Sequence, residues 1–277
     1  MSELEQLPQQ FHPFLEKIKS TRVTCIEFDK ERSDEFKPWD SNLGGSPYLP
    51  LGFEYPKSKE SDQPLQFLGQ INFGEIPHLE NFPDQGILQF YLNMKDLGLG
   101  IDESRDNVQI NHRVLYFPIV VEEQGCLQQV ENFKALTELS EDEEQLWVAP
   151  SRLIDFRFVQ QYMTFFDYRF APLLFNRTQV ETNNTYADIA HAYEYYEKPY
   201  TEYFQIEGGH RLGGYANFLH SRDNRIELGI QDHILLMQLD TDDGLEWCDG
   251  GIAQWYIHPQ DLKNKDFSQV IFQWACH

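Results

Sequence analysis

The densest run of oxygen ligands in this sequence is Asp240-Thr241-Asp242-Asp243-Gly244, followed shortly by Asp249. Calcium is held by several carboxylate and carbonyl oxygens on one short loop, so Asp240, Asp242 and Asp249 are the candidate metal ligands. The run departs from a calcium loop at two places. Gly244 stands fifth, where a ligand belongs, and Gly251 stands twelfth in place of a bidentate Glu. Asp and Gly are also the ordinary residues of solvated turns, which is the plainer expectation here.

Gln70, Gln89, Gln238 and Gln254 sit in otherwise apolar runs. A buried amide costs free energy unless its donors and acceptors are bonded, so the fold must supply partners. Cross-strand bonding to backbone is one answer; lining a ligand cleft is the sharper one. Arg211 is a candidate carboxylate or phosphate ligand, set against the plainer role of neutralising neighbouring acids. Gly44-Gly45 and Gly213-Gly214 could aim backbone N–H groups at an anion, but neither pair opens a phosphate-loop pattern with its Lys and Ser/Thr. Turn formation is their expected role.

No catalytic residue is assigned. The sequence has no nucleophile elbow, no paired zinc cysteines and no metalloprotease histidine motif. Cys25, Cys126, Cys248 and Cys276 are scattered and read as free thiols, and Cys248 beside Asp249 has no partner readable along the chain. No cofactor is expected. Asn176-Arg177-Thr178 and Asn183-Asn184-Thr185 match a glycosylation pattern that matters only in a secreted protein.

The elements that must position these groups are legible. Phe11, Phe14, Leu15 and Ile18 recur at helical spacing, and Arg22 to Phe28 then alternates as a strand. Trp39 to Pro56 is a Gly- and Pro-rich loop. Leu65 to Phe73, Gly86 to Leu92, Arg113 to Val121 and Leu153 to Phe158 read as strands, with a last one in Asp266 to Trp274. Glu138 to Glu144 is an acidic, solvated run. Tyr186, Ile189, Ala190, Tyr193 and Tyr196 predict a helix that starts near Asn184 and stops before Pro199.

The chain also resembles itself. Asp84 to Leu92 and Asp249 to Ile257 both read DxGIxQ[FW]Y[LI], and each is followed by Asp-Leu, at 96–97 and 261–262. Leu68 to Asn72 answers Leu236 to Asp240, and Gly44-Gly45 answers Gly213-Gly214, in the same order. That order predicts a duplication: repeat one about 22–121, a mixed connecting segment about 122–204, and repeat two about 205–277. The expected fold class is α+β, with two similar, mostly antiparallel halves, flanking helices, and their sheets packed into one body.

Charge limits the partners. With 45 Asp plus Glu against 22 Lys plus Arg the formal charge is −23, which disfavours nucleic acid and anionic membranes. No apolar stretch is long enough to span a bilayer, and the first twenty residues lack a secretory pattern, so the expected location is cytoplasmic. The segments PLQFLGQINFGEIP, FPDQGILQFYLN and ILLMQLDTDD, with the DGGIAQWYI run, resemble the YwqG-like family, a bacterial family of unknown function. The resemblance implies a cytosolic α+β protein of two related halves and implies no activity. The functional expectation is a non-enzymatic binding or interaction protein, regulatory or immunity-like, with an acidic surface and a protein partner, a basic one being favoured by charge. The alternative is a protein or enzyme that holds a small ligand or divalent cation in a cleft between the halves.

Overall fold

The computed structural model describes residues 3–95, 98–102, 109–128, 146–175, 193–204, 208–220 and 222–277. The acidic run, both Asn-x-Thr sites, the 96–97 end of the first repeated motif and most of the 185–198 helix lie outside those residues.

Twelve strands follow one another as β1 (Val23–Arg32), β2 (Asn42–Leu43), β3 (Gln66–Asn72), β4 (Ile87–Leu92), β5 (His112–Phe117), β6 (Leu146–Val148), β7 (Ser151–Gln161), β8 (His210–Leu212), β9 (Ile234–Asp240), β10 (Leu245–Trp247), β11 (Ile252–Ile257) and β12 (Ile271–Ala275). Ten of them form one antiparallel sheet in the order β12-β11-β9-β8-β1-β7-β2-β3-β4-β5, while β6 and β10 make a separate ribbon. This corrects the expectation of two sheets packed face to face. β1 and β7 pair along most of their length, and each then hands on across the centre, β1 to β8 and β7 to β2. The sheet is therefore continuous.

Register shifts at Glu27/Asp29, Phe67/Gly69 and Trp255/Tyr256 mark bulges, which bend strands and sharpen their twist. The bent sheet nearly closes into a barrel. β3, β4 and β11 are buried along their whole length, and Phe90 of β4 meets Trp255 of β11 with ring centroids 5.1 Å apart, so strands from opposite ends of the sheet share one core. Gly69 is required where β2 crosses β3, because a Cβ there would lie 2.6 Å from the Asn42 carbonyl oxygen.

The open seam between β5 and β12 is bridged by side chains. His112 Nε2 lies 3.1 Å from the Val270 carbonyl, its Nδ1 lies 3.1 Å from the Gly100 carbonyl, and Gln109 donates to Phe267 O at 2.6 Å. Because the contacts to Val270 and Phe267 span the seam, His112→Ala is expected to cost about 3 kcal/mol through a lost buried ring and a stranded carbonyl. Denaturant unfolding with hydrogen exchange checks this. The β12 amides should exchange faster before those of β9 do, and an unchanged midpoint would mean that the seam holds without the ring.

Short helices cover the outside: α1 (Leu15–Ser20), α2 (Phe170–Phe175), α3 (Lys198–Phe204), α4 (Arg225–Leu228) and α5 (Pro259–Asn264). α5 shows local rules at work. The His258 side chain caps the Gln260 N–H, Pro259 takes the first helical position, and Lys265 closes the helix with φ 57°. The predicted stop before Pro199 is also corrected. A π-turn at Tyr193–Glu197 runs into α3, and Pro199 occupies the first turn of that helix, where its missing N–H costs nothing. α1, α2 and α3 meet in a second core of aromatic rings, with Phe170 and Tyr200 at 4.8 Å and Phe11 and Tyr200 at 5.2 Å. No helix among the described residues is long and apolar enough to cross a membrane.

Candidate functional site

The four glutamines form two clamps of the same design. In β3 and β4, Gln70 Oε1 accepts from Tyr48 N–H at 2.9 Å and from Gln89 Nε2 at 2.8 Å, Gln89 Nε2 also donates to Tyr48 O, and Tyr91 OH donates to Gln89 Oε1 at 3.0 Å. In β9 and β11, Gln238 Oε1 accepts from Asn217 N–H at 2.9 Å and from Gln254 Nε2 at 3.2 Å, Gln254 Nε2 donates to Asn217 O, and Tyr256 OH donates to Gln254 Oε1 at 2.7 Å. Each clamp grips both backbone groups of one loop residue, Tyr48 or Asn217. The remaining Nε2 protons go to Pro38 and Asp40 carbonyls from Gln70 and to Gly209 O from Gln238. All four side chains are buried, and their bonds are spent on loops.

The loops around the clamps match in bonding and differ in charge. Ser41 Oγ accepts Asn72 N–H in the first half, where His210 Nδ1 accepts Asp240 N–H in the second. Asn72 Nδ2 donates to Trp39 O, and Arg211 Nη2 donates to Gly208 O. At the strand positions themselves, the first half has neutral Asn42 and Asn72; the second has Arg211 and Asp240. Arg211 is buried, and its Nη1 reaches Tyr215 O at 3.2 Å and Asn217 Oδ1 at 3.4 Å. Burial pulls its guanidinium down from the usual arginine range, against the support of Cys25, Glu27 and Asp240.

Where the first half buries the Tyr48 ring against Phe117, the second half opens a cavity of about 320 Å³ beside Asn217. Phe165, Phe166 and Phe218 wall it, and Thr164, Thr201 and Asp240 supply polar groups. Thr164 Oγ1 is buried with no hydrogen-bond partner among the described residues. Asp240 holds its place by accepting Gly209 N–H at 2.6 Å and Thr241 N–H at 2.8 Å. A Cβ at Gly208 would fall 1.6 Å from Asp240 Oδ2, so any side chain there would push the carboxylate aside. Among the described residues lining this cavity, Asp240 is the one with an ionisable side chain. A carboxylate set among aromatic walls can bind a cation and orient it.

The candidate metal ligands are separated. Asp242 is committed to Lys30 at 2.8 Å and to His210 Nε2 at 3.1 Å. Despite partial burial, the His210 hydrogen bond and Lys30 hold its carboxyl below the usual range. Since His210 Nδ1 accepts a backbone N–H, the ring proton sits on Nε2 and donates to Asp242. Asp249 is exposed in the turn before β11, and no group of three or more His, Cys, Asp or Glu among the described residues is arranged to hold a metal ion. A larger cleft of about 660 Å³ runs between residues 78–82 and the β8–β9 loops, lined in part by Arg22, His78 and Glu80; none of the eight candidate residues lines it.

One buried network escaped the sequence reading. Arg225 Nη2 joins Asp167 at 2.8 Å and Asp223 at 2.6 Å, while Arg169 makes two bonds to Asp167 at 2.6 and 2.7 Å. Arg225 also lies over the Tyr256 ring at 5.9 Å, so the network supports the second clamp. Burial opposes the Asp167 charge, but Arg169 and Arg225 outweigh it and hold that carboxyl low. Asp-x-Arg occurs three times, at 155–157, 167–169 and 223–225, and only the last two pairs enter this network.

The sequence profile described as a domain of unknown function (DUF1963) matches residues 41–276. The chain belongs to that family. The match takes in both glutamine clamps, both loops and the pocket, while α1 and β1 precede it. No curated protein matches the chain significantly.

Proposed function

We propose that this DUF1963 protein is a binding protein without catalytic chemistry of its own, and that its pocket beside Asn217 recognises a protonated amine carried on an apolar body. One observation carries the reading: Asp240 presents a carboxylate to an aromatic-walled cavity in the half where the fold could equally hold a neutral Asn, as the first half does with Asn72. Aromatic faces and a carboxylate together favour an organic cation. The net charge of −23 enriches cations around the molecule and speeds their arrival. The amine belongs either to a small molecule or to a Lys side chain of a basic partner protein.

The same reading treats the chain as a YwqG-like protein made by duplication. The paired clamps, with matched donors and acceptors, support two copies of one unit. On that view β7 is the counterpart of β1, so the second copy begins near Ser151, and each copy lends its first strand to the other. The first copy keeps the clamp for stability; the second uses it to hold a binding loop.

The test uses phenethylamine as the probe. It should raise the Tm of the native protein by about 5 °C at saturation. Asp240→Asn should weaken binding about 50-fold, the worth of one charge-assisted hydrogen bond, and Gly208→Ala should do the same by displacing the carboxylate. A Lys-rich peptide that competes with phenethylamine would identify the partner-borne source. Equal Tm shifts in native protein and both variants would place the amine elsewhere and end the proposal.

A further inference from the structure

Two of the four cysteines, 28 positions apart in the chain, meet at the end of the sheet. β11 and β12 pair in register from Ile252↔Ala275 to Tyr256↔Ile271, which sets residue 276 beside the turn that leads into β11. His277 N–H donates to Asp249 O at 3.3 Å, which ties the tail to the turn next to Cys248, and Gly251 N–H donates to Trp247 O at 2.8 Å, which closes the turn itself. The register and the His277 bond to Asp249 therefore set the Cys276 side chain next to Cys248. Cys248 is exposed and Cys276 half-buried, so solvent reaches the pair. Cys248 itself sits at φ 52°, a left-handed conformation in which Gly or Asn is the usual occupant.

We propose that Cys248 and Cys276 form a redox-active dithiol that closes to a disulfide by exchange with a low-molecular-weight disulfide such as oxidised glutathione. The Cys248 thiolate attacks one sulfur of the small disulfide, breaks its S–S bond and releases one small thiol, which leaves a mixed disulfide on Cys248. The Cys276 thiolate then attacks the Cys248 sulfur, forms the Cys248–Cys276 bond and releases the second small thiol. The protein loses two electrons and two protons, and the small disulfide gains both. Cys248 is the more exposed of the two, and burial beside the Cys248 thiol pushes the Cys276 thiol up, so Cys248 opens the sequence and Cys276 resolves it. The bond ties the turn after β10 to the end of β12. It locks β11, α5 and β12 into one closed loop at the edge of the sheet that carries the second clamp.

Cys25 and Cys126 serve as references. Cys25 is buried and its thiol is pushed up to about 12 by that burial, so it should stay reduced; Cys126 is exposed and has no neighbouring thiol among its described contacts, so it should go no further than a mixed disulfide. The full chain is equilibrated in reduced and oxidised glutathione mixtures of graded ratio, alkylated, digested without reductant and read by mass spectrometry. The expected product is a linked peptide pair joining Cys248 to Cys276, formed at more reducing ratios than the Cys126 mixed disulfide. Cys248→Ser and Cys276→Ser should each abolish the linked pair and convert the surviving cysteine to a mixed disulfide. Urea should remove the preference for the pair. Cys248 and Cys276 that both remain alkylated, or that each carry a separate glutathione in the native protein, would overturn the proposal.

Discussion

Arg225→Met is expected to destabilise the protein by about 4 kcal/mol, because it leaves the carboxylates of Asp167 and Asp223 buried without their shared cation. The loss is electrostatic before it is steric, since Met fills most of the space of the Arg stem. Its pH dependence follows from the Asp167 carboxyl, which is held below its unfolded value. Such a group adds stability that is complete above the ordinary carboxylate range and is lost as pH falls through the lower, folded value. The gap between native protein and Arg225→Met should therefore be widest near neutrality and narrow in acid. Adding Asp223→Asn to Arg225→Met should recover part of the loss, since one stranded charge is gone. Urea titrations at several pH values decide this; a gap that is constant with pH would show that the network acts through packing alone.

Gln238→Leu and Gln70→Leu are expected to cost about 3 kcal/mol each, because both strand the backbone groups of a clamped loop and the Nε2 acceptors behind it. Their effects on binding should part company. Gln238→Leu releases Asn217, the residue that rims the aromatic pocket, and should also abolish the response to phenethylamine. Gln70→Leu releases Tyr48, whose ring is buried in the first half, and should leave that response intact. Loss of binding in both variants would mean that the clamps matter only through global stability.

Much of this arrangement was legible along the chain. The DxGIxQ[FW]Y[LI] repeat marked β4 and β11, and the paired glutamines within it were rightly expected to need partners, because a buried amide cannot go unanswered. The strands at Leu65 and Gly86 were visible as short apolar runs bounded by turn residues, and the one at Leu153 by alternation. What the one-dimensional pattern could not carry was the pairing of β1 with β7 across the centre. Strand pairing between distant segments leaves no local periodicity, so one nearly closed sheet read as two packed ones. β8 is three residues long and offered no pattern at all.

The site was partly legible for the same reasons. Arg211 and Asp240 were named, but their meaning depended on Gly208, Asn217 and His210, which approach them through tertiary contact. Asp242 drew notice as a cation ligand because its neighbours are acidic; Lys30, far earlier in the chain, takes that carboxylate instead. Cys248 lacked a readable partner because its partner arrives through the β11–β12 ladder. The Asp-x-Arg pairs at 167 and 223 did not stand out along the chain, because Asp155-Phe156-Arg157 has the same spacing in an apolar run and its exposed Arg pairs with Glu27 and Asp29 instead.

The most direct test of the central claim is a backbone amide NMR titration of the full chain with phenethylamine. The account predicts saturable shifts at Thr164, Asn217, Phe218 and Thr241, around the Asp240 carboxylate, and no matching response at Tyr48 or Asn72. Shifts centred on the cleft at Arg22, His78 and Glu80, or equal shifts in the two clamped loops, would contradict it.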